Sequence, residues 1–91
     1  MIDWAASNTH NKSISVSSIF TFSNTPPSGQ SQTIIVAITN TSGVVVNATF
    51  PAGIRWPNAV AITTVAASRT NIYTFISIGG NIYATAVENL G

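Results

Sequence analysis

The sequence predicts an all-β protein, a small antiparallel β-sandwich or barrel of about six strands. Valine, isoleucine and threonine make up about a third of the chain, and their β-branched side chains fit a pleated sheet better than a helix. Residues 14–22 alternate between apolar and polar types with the period of two that a strand requires. Short turn signals such as Gly79-Gly80 recur between the apolar runs, which is typical of sandwiches and barrels.

The first predicted strand covers residues 14–22. Its alternation places four large apolar side chains on one face, which we expect to be the core face: Ile14, Val16, Phe20 and Phe22. The next segment, residues 24–29, contains two adjacent prolines, which lack backbone donors, and a glycine. We therefore expect a surface loop after the first strand.

The middle of the sequence predicts a hairpin followed by an irregular crossing. Residues 33–39 and 44–50 flank a short polar turn and are expected to pair as antiparallel neighbours. Pro51 and Pro57 cannot donate to a central ladder, so the segment that they bracket should cross the molecule without joining a sheet. Residues 59–65 are predicted as a further strand.

A two-glycine turn predicts a second hairpin. Residues 70–78 and 81–87 have strand-like composition and flank the pair of glycines named above, a loop suited to a type I′ or II′ turn. The spacing across this turn suggests that Tyr73 and Tyr83 are cross-strand neighbours. Aromatic pairs of that kind stabilise a sheet by roughly 0.2–1 kcal/mol.

The length of the chain, 91 residues, leaves room for one domain with one modest core. We assign that single β domain to residues 13–91. Residues 1–12, which include Trp4, show little periodicity and are predicted to form an N-terminal arm. Such an arm can order against a partner, although simple fraying is the commoner outcome for a terminus.

Charged residues make up 5% of the chain, against about 25% in ordinary soluble proteins. The three basic residues lie far apart in sequence, which argues against binding to nucleic acid. The longest apolar run, residues 34–38, is far shorter than the roughly 20 residues of a membrane helix, so we expect no membrane segment. Because few charges protect its strand edges from other chains, we expect the protein to work in an assembly.

The inventory of reactive side chains is small. The chain contains no cysteine, one histidine and two carboxylates, whereas catalysis needs a nucleophile with its base or a pair of carboxylates. His10 and Asp3 lie close together in sequence, but we expect both on the surface of the arm. The same shortage argues against a zinc or calcium site. We therefore predict a protein that is not an enzyme, with no catalytic, cofactor or metal site.

Six residues are our candidates for contacts with a partner. An arginine beside an aromatic ring in a nearly uncharged protein can bind a neighbour's carboxylate or carbonyl groups. Tryptophan and tyrosine rings could instead stack on sugars, but for Trp56 we prefer packing in the core or in a subunit interface. The candidates are Trp4, Arg55, Trp56, Arg69, Tyr73 and Tyr83.

The order of several short motifs along the chain resembles a known family. Ile2-Asp3-Trp4 stands near the start and Glu88-Asn89-Leu90-Gly91 near the end. Between them follow Phe20-Thr21-Phe22-Ser23-Asn24, Pro26-Pro27-Ser28-Gly29-Gln30, Phe50-Pro51, Arg55-Trp56-Pro57, Asn71-Ile72-Tyr73-Thr74-Phe75, Gly79-Gly80 and Tyr83. This series is similar to the small β domain found in tail-fibre and minor structural proteins of tailed bacteriophages.

The resemblance implies a non-enzymatic structural protein of the virion, made in the host cytoplasm and assembled on the capsid surface rather than on the tail. Analogy with phage fibres and decoration proteins implies a homo-oligomer, with a trimer preferred. The expected partners are the major capsid protein or another virion protein, and we expect no nucleic acid, membrane or cofactor.

Length separates two roles within this class. A fibre needs length and an anchoring segment, so a chain of 91 residues is expected to be a capsid decoration or cement subunit that binds and stabilises the head. The alternative is the tip domain of a tail fibre or head fibre that binds a host surface glycan or protein. That alternative predicts an exposed Trp56 or exposed tyrosines.

Overall fold

The computed structural model describes residues 2–27 and 29–91 and confirms an all-β fold. Met1 and Ser28, which belong to the predicted arm and the predicted proline loop, lie outside these residues. The described part contains no α-helix, and one short 3₁₀ turn spans Pro57–Ala59. Its strands are β1 (Ile2–Asp3), β2 (Thr9–Ile14), β3 (Ser18–Ile19), β4 (Phe22–Ser23), β5 (Gln32–Asn40), β6 (Val46–Thr49), β7 (Thr64–Val65), β8 (Thr70–Ile78) and β9 (Asn81–Leu90).

The strands form three sheets with open, linear orders. The largest sheet has the order β2-β5-β8-β9, a three-stranded sheet has the order β3-β6-β7, and β1 pairs with β4. The predicted antiparallel architecture is wrong in part, because β1 with β4, β2 with β5 and β3 with β6 pair in parallel. Parallel neighbours need a long connection, and each of these pairs encloses other strands between its two members.

The core lies between the inner face of the four-stranded sheet and the two smaller sheets. Successive side chains of β5 and β8 alternate between buried and less buried positions, because strand side chains point to opposite faces. The buried apolar side chains are Ile2, Trp4, Ile14, Phe20, Ile34, Val36, Ile38, Val46, Ala48, Phe50, Val65, Tyr73, Phe75 and Ala84. One continuous cluster therefore joins all three sheets.

The predicted strand over residues 14–22 is broken into short pieces. Ile14 and Phe20 are buried as expected, but Val16 is 67% exposed. The chain leaves the four-stranded sheet after Ile14 and enters the three-stranded sheet at Ser18. Ser17 Oγ fixes this crossing, since it accepts a hydrogen bond of 3.1 Å from the backbone N–H of Asn47.

The predicted hairpin between residues 33–39 and 44–50 is wrong. β5 pairs with β2 and β8, whereas β6 pairs with β3 and β7 in the other layer. The reason is the buried side chain of Asn40, whose Nδ2 donates to the carbonyl groups of Val44 at 2.7 Å and Val65 at 3.2 Å. These bonds turn the chain from one sheet into the next.

Two further predicted segments differ from the structure. The predicted strand over residues 59–65 is reduced to Thr64–Val65, because Asn58 and Ala59 have φ angles of 54° and 58° and turn the chain. The described part of the predicted arm is integrated into the domain: β1 and β2 belong to sheets, and the backbone N–H of Trp4 donates to the carbonyl of Ser23 at 3.0 Å.

The predicted final hairpin is confirmed, with β8 and β9 paired as antiparallel neighbours. Gly79 has a φ of 60° and Gly80 a φ of 83°. Positive φ at both central residues identifies the turn as type I′, whose twist matches that of the flanking strands.

Substitutions at the two glycines of this turn should therefore have different effects on the free energy of unfolding. Gly80→Val places a β-branched side chain at positive φ and should lower the free energy of unfolding by about 1–2 kcal/mol. Gly79→Asn should leave it unchanged or raise it slightly, because asparagine is favoured in this turn and a Cβ at Gly79 meets nothing within 4 Å. Urea denaturation of both variants tests this, and equal losses would contradict the type I′ assignment.

Candidate functional site

The face of the four-stranded sheet that points away from the core is the main candidate surface. The strand registers place alternate residues of all four strands on it, for example Ile35 beside Thr74 and Ile76 beside Tyr83. We call this surface the outer face. It comprises Thr9, Asn11, Ser13, Thr33, Ile35, Ala37, Thr39, Thr70, Ile72, Thr74, Ile76, Ile78, Asn81, Tyr83, Thr85 and Val87.

The outer face is uncharged and partly apolar. Four of its large side chains are well exposed: Ile35 at 42%, Ile78 at 50%, Tyr83 at 43% and Val87 at 58%. Threonines separate them, and none of the residues of this face is charged. Contiguous uncharged and apolar surface of this kind is typical of sites that contact another protein.

Arg55 lies at the β9 rim of the outer face. Its backbone N–H donates to the carbonyl of Ile82 at 2.8 Å, and its carbonyl accepts from the N–H of Ala84 at 3.0 Å, so it stands in parallel register with Tyr83. The guanidinium is exposed, and its Nη2 makes one long hydrogen bond of 3.5 Å to Oδ1 of Asn81. An arginine held this loosely is available to a partner's carboxylate or carbonyl groups.

An open depression of about 450 Å³ adjoins Arg55 and is lined by Gly53, Ile54, Arg55, Trp56 and Ala59. The Trp56 ring is half-buried and packs on core aromatics, with ring centroids 6.1 Å from Tyr73 and 6.0 Å from Phe75, both edge to face. The indole thus serves the core packing that the sequence favoured, and it presents only part of its surface to the depression.

The six candidate residues do not form one site. Arg55 and Tyr83 lie together at the rim, and Trp56 lines the adjacent depression. Arg69 is exposed and precedes the first residue of β8, whereas Tyr83 stands opposite a residue near the other end of β8. Trp4 and Tyr73 are 1% and 0% exposed and belong to the core. Burial therefore excludes Trp4 and Tyr73 as contacts with a partner.

The expected pairing of Tyr73 with Tyr83 is wrong. Tyr73 stands opposite Ala86, and Tyr83 stands opposite Ile76. Because the two tyrosines are an even number of residues apart across a two-residue turn, their side chains point to opposite faces of the sheet. Tyr73 therefore packs in the core and Tyr83 lies on the outer face.

Apart from Tyr83, the apolar residues of the outer face were not among the sequence-derived candidates. A signal was nevertheless present, since Ile35, Ile72, Ile76 and Ile78 stand at positions out of phase with the core residues of their strands. A strand with one solvent-facing side usually carries polar residues there. Apolar residues in both phases indicate a strand that is intended to be covered on both faces.

Ionisable groups in the described residues are scattered. His10 is half-buried and its Nε2 lies 3.0 Å from the carbonyl oxygen of Ser7. A hydrogen bond from Asn24 and another from the N–H of Ala5 lower the pKa of Asp3 below its usual value. Among residues 2–27 and 29–91, no three His, Asp or Glu side chains gather into a group able to hold a metal ion.

Burial is the main cause that raises the pKa of Tyr73 above its usual value. Its hydroxyl accepts a hydrogen bond of 3.2 Å from Nδ2 of Asn71, which also donates to the carbonyl of Thr64 at 2.9 Å. Since the pKa is higher in the folded than in the unfolded protein, the stabilisation is present below about pH 10 and is lost as the pH rises through the folded-state pKa.

The Tyr73→Phe variant should therefore lose less stability than the wild type between pH 9 and pH 11. The variant should still fold, because Asn71 keeps its bond to Thr64. Urea denaturation at a series of pH values measures the slopes, and identical slopes for the two proteins would contradict the prediction.

Comparison with known proteins adds no relative. No family model, no curated protein and no solved structure matches the chain. The part of the chain that the structure describes also holds no helix with the length and hydropathy of a membrane span.

Proposed function

We propose that this chain is a non-enzymatic structural protein of a bacteriophage virion, a capsid decoration or cement subunit that acts as a homotrimer on the capsid surface. Its partners in this proposal are the major capsid protein and further copies of itself. The observation that supports it best is the uncharged outer face, with four exposed apolar side chains on three adjacent strands. The motif order along the chain supplies the virion context.

Adhesion through this face would be weak for one subunit and strong for many. Four strands about 4.8 Å apart and about 27 Å long cover roughly 500 Å², whereas a stable protein interface buries about 800 Å² on each partner. A subunit that contacts its target through one such face needs further contacts, and an oligomer supplies them by multivalency. Many weakly bound subunits then add a small stabilisation at each of many equivalent capsid positions.

The number of copies in purified virions tests the proposal. Quantitative mass spectrometry should find this chain at a number comparable with that of the major capsid protein, because the shell offers many equivalent sites. A few tens of copies or fewer would place the protein on the tail or on sparse fibres and contradict decoration. Complete absence would contradict any role in the virion.

A pair of charge substitutions tests the surface itself. Ile78→Lys on the outer face should reduce the copy number at least about tenfold, since an unpaired charge would be buried at the contact. Ile19→Lys is the matched control, because Ile19 is 80% exposed in the other layer. Both variants should fold, as circular dichroism can check. Equal incorporation of the two variants would exclude the outer face as the contact surface.

Glycan binding at a fibre tip is the second candidate function. One observation favours it: exposed Tyr83 and the Arg55 guanidinium lie beside the depression that Trp56 lines. Glycan-array binding that Tyr83→Ala and Arg55→Ala both abolish, without loss of folding, would support this function. No binding above background would exclude it.

A further inference from the structure

Among the described residues, no strand pairs with β2 on its side away from β5, so this edge of the four-stranded sheet is open. Hydrogen bonds from the N–H of Ile35 to the carbonyl of Asn8, and from the N–H of Thr41 to the carbonyl of Ile14, set the alternation along the β2–β5 pair. Even-numbered residues of β2 therefore bond to β5, and the backbone groups of odd-numbered residues point away from the sheet. Of the odd-numbered N–H groups, that of Thr9 is satisfied by Ser7 Oγ at 3.1 Å.

The opposite edge, along β9, is open over its second half. The Arg55 segment covers the first half through its bonds to Ile82 and Ala84. The same alternation holds up to the pair of Ile72 with Val87, after which the register of β8 and β9 shifts. It directs the carbonyl of Ala84, both backbone groups of Ala86 and, through the peptide group that follows Val87, the N–H of Glu88 away from β8. No backbone group in the described residues bonds to them. The two open stretches, residues 9–13 and 84–88, have the same length.

The charges on the two edges are complementary. Lys12 belongs to the open stretch of β2 and Glu88 to that of β9. Pairing of β2 with a second β2 would bring Lys12 close to His10 or to another Lys12, with no carboxylate on either strand. Pairing of β2 with β9 instead offers an ion pair, and opposite charges on neighbouring strands are favourable where like charges are not.

We infer that β2 of one copy of this chain adds in parallel to β9 of the next copy, so that the four-stranded sheets continue from subunit to subunit. A register with Asn11 beside Val87 aligns Lys12 with Glu88. It also brings the free N–H of Asn11 to the carbonyl of Ala86, and the free N–H of Glu88 to the carbonyl of Asn11. Both Asn11 and Val87 lie on the outer face, so the outer faces of the copies join into one surface.

This contact deepens the homo-oligomer of the proposed function and gives it a symmetry. The two edges are different surfaces, so the contact is heterologous: it closes into a ring if the rotation between copies permits and otherwise forms an open filament. Closure after a third of a turn gives the proposed trimer.

Engineered cysteines test the contact, because the chain has no cysteine of its own. A variant with Asn11→Cys and Val87→Cys should form disulfides between copies when it is oxidised, giving a ring or ladder on a non-reducing gel. Within one copy the two positions lie on strands three spacings apart, about 14 Å, which is beyond the reach of a disulfide. Each single variant is the control and should remain monomeric on the gel.

Charge reversal tests the register in the protein without cysteines. Lys12→Glu should weaken self-association by about fivefold in sedimentation velocity, and Lys12→Glu combined with Glu88→Lys should restore it. The inference is overturned if the folded double-cysteine variant stays monomeric or if Asn11→Cys alone cross-links as well. Ile78→Lys should leave cross-linking unchanged, so a failed edge contact is distinguishable from a failed capsid-binding face.

Discussion

Asn40→Leu is expected to lower the free energy of unfolding by about 3–5 kcal/mol. The Asn40 side chain is fully buried, and its Nδ2 donates to the carbonyl groups of Val44, Val65 and Ala66 at 2.7, 3.2 and 3.3 Å. Its Oδ1 accepts from the backbone N–H and the hydroxyl of Ser42 at 2.9 and 2.7 Å. Leucine has a similar volume but leaves several of these groups buried without a partner.

Asn47→Leu is the matched control for that change. The Asn47 side chain is exposed on β6, so the same substitution there should alter the free energy of unfolding by less than about 0.5 kcal/mol. Urea denaturation followed by circular dichroism measures both variants. A loss at Asn40 no greater than at Asn47 would show that the buried amide does not hold the turn between the sheets.

Phe50→Ala is expected to cost about 4 kcal/mol, which is a large fraction of the 5–15 kcal/mol by which small domains are usually stable. The Phe50 ring is the centre of the aromatic cluster, with ring centroids 4.7 Å from Tyr73, 5.0 Å from Phe75 and 5.5 Å from Phe20. Those partners come from both layers, so the cavity left by alanine would lie where the sheets pack together.

Two comparison variants keep this prediction testable if the alanine variant fails to fold. Phe50→Leu should cost about 1–2 kcal/mol, because much of the volume is retained. Ile19→Ala removes a side chain that is 80% exposed and should cost less than about 0.5 kcal/mol. Thermal and urea denaturation rank the variants, and a Phe50→Leu loss no larger than that of Ile19→Ala would contradict the central role of this ring.

Local patterns in the sequence predicted the local parts of the fold. The predicted strand over residues 33–39 and the two-glycine turn between β8 and β9 each depend on neighbouring residues, so both are recognisable without the rest of the chain. The strand composition likewise identified the all-β class. These predictions needed no knowledge of which strands become neighbours in space.

The connections between the sheets could not be predicted in the same way. In the sequence, Asn40 resembles an ordinary turn residue. Its role in joining the sheets depends on the carbonyl groups of Val65 in β7 and of Ala66, which follows β7, and both lie about 25 residues further along the chain. Alternation in residues 14–22 likewise suggests one strand. The break after Ile14 is imposed by the separate partners of β2 and β3, which lie in different sheets.

In the candidate site, too, some features could be predicted from the sequence and others could not. Arg55 and Tyr83 were each chosen as interface candidates from their chemistry alone. Their proximity follows from a backbone bridge between segments 28 residues apart, which no local pattern encodes. Burial of Trp4 and Tyr73 likewise depends on which layer covers each strand.

The parallel pairs at the start of the chain also determine the order in which the fold can form. β1, β2 and β3 each pair with a strand about 20–30 residues later, so during synthesis they must wait for their partners. The β8–β9 hairpin closes through its own two-residue turn and can form within microseconds. Because the remaining pairings are non-local, the complete four-stranded sheet should form on the slower timescale of milliseconds to seconds that is typical of β-sandwiches.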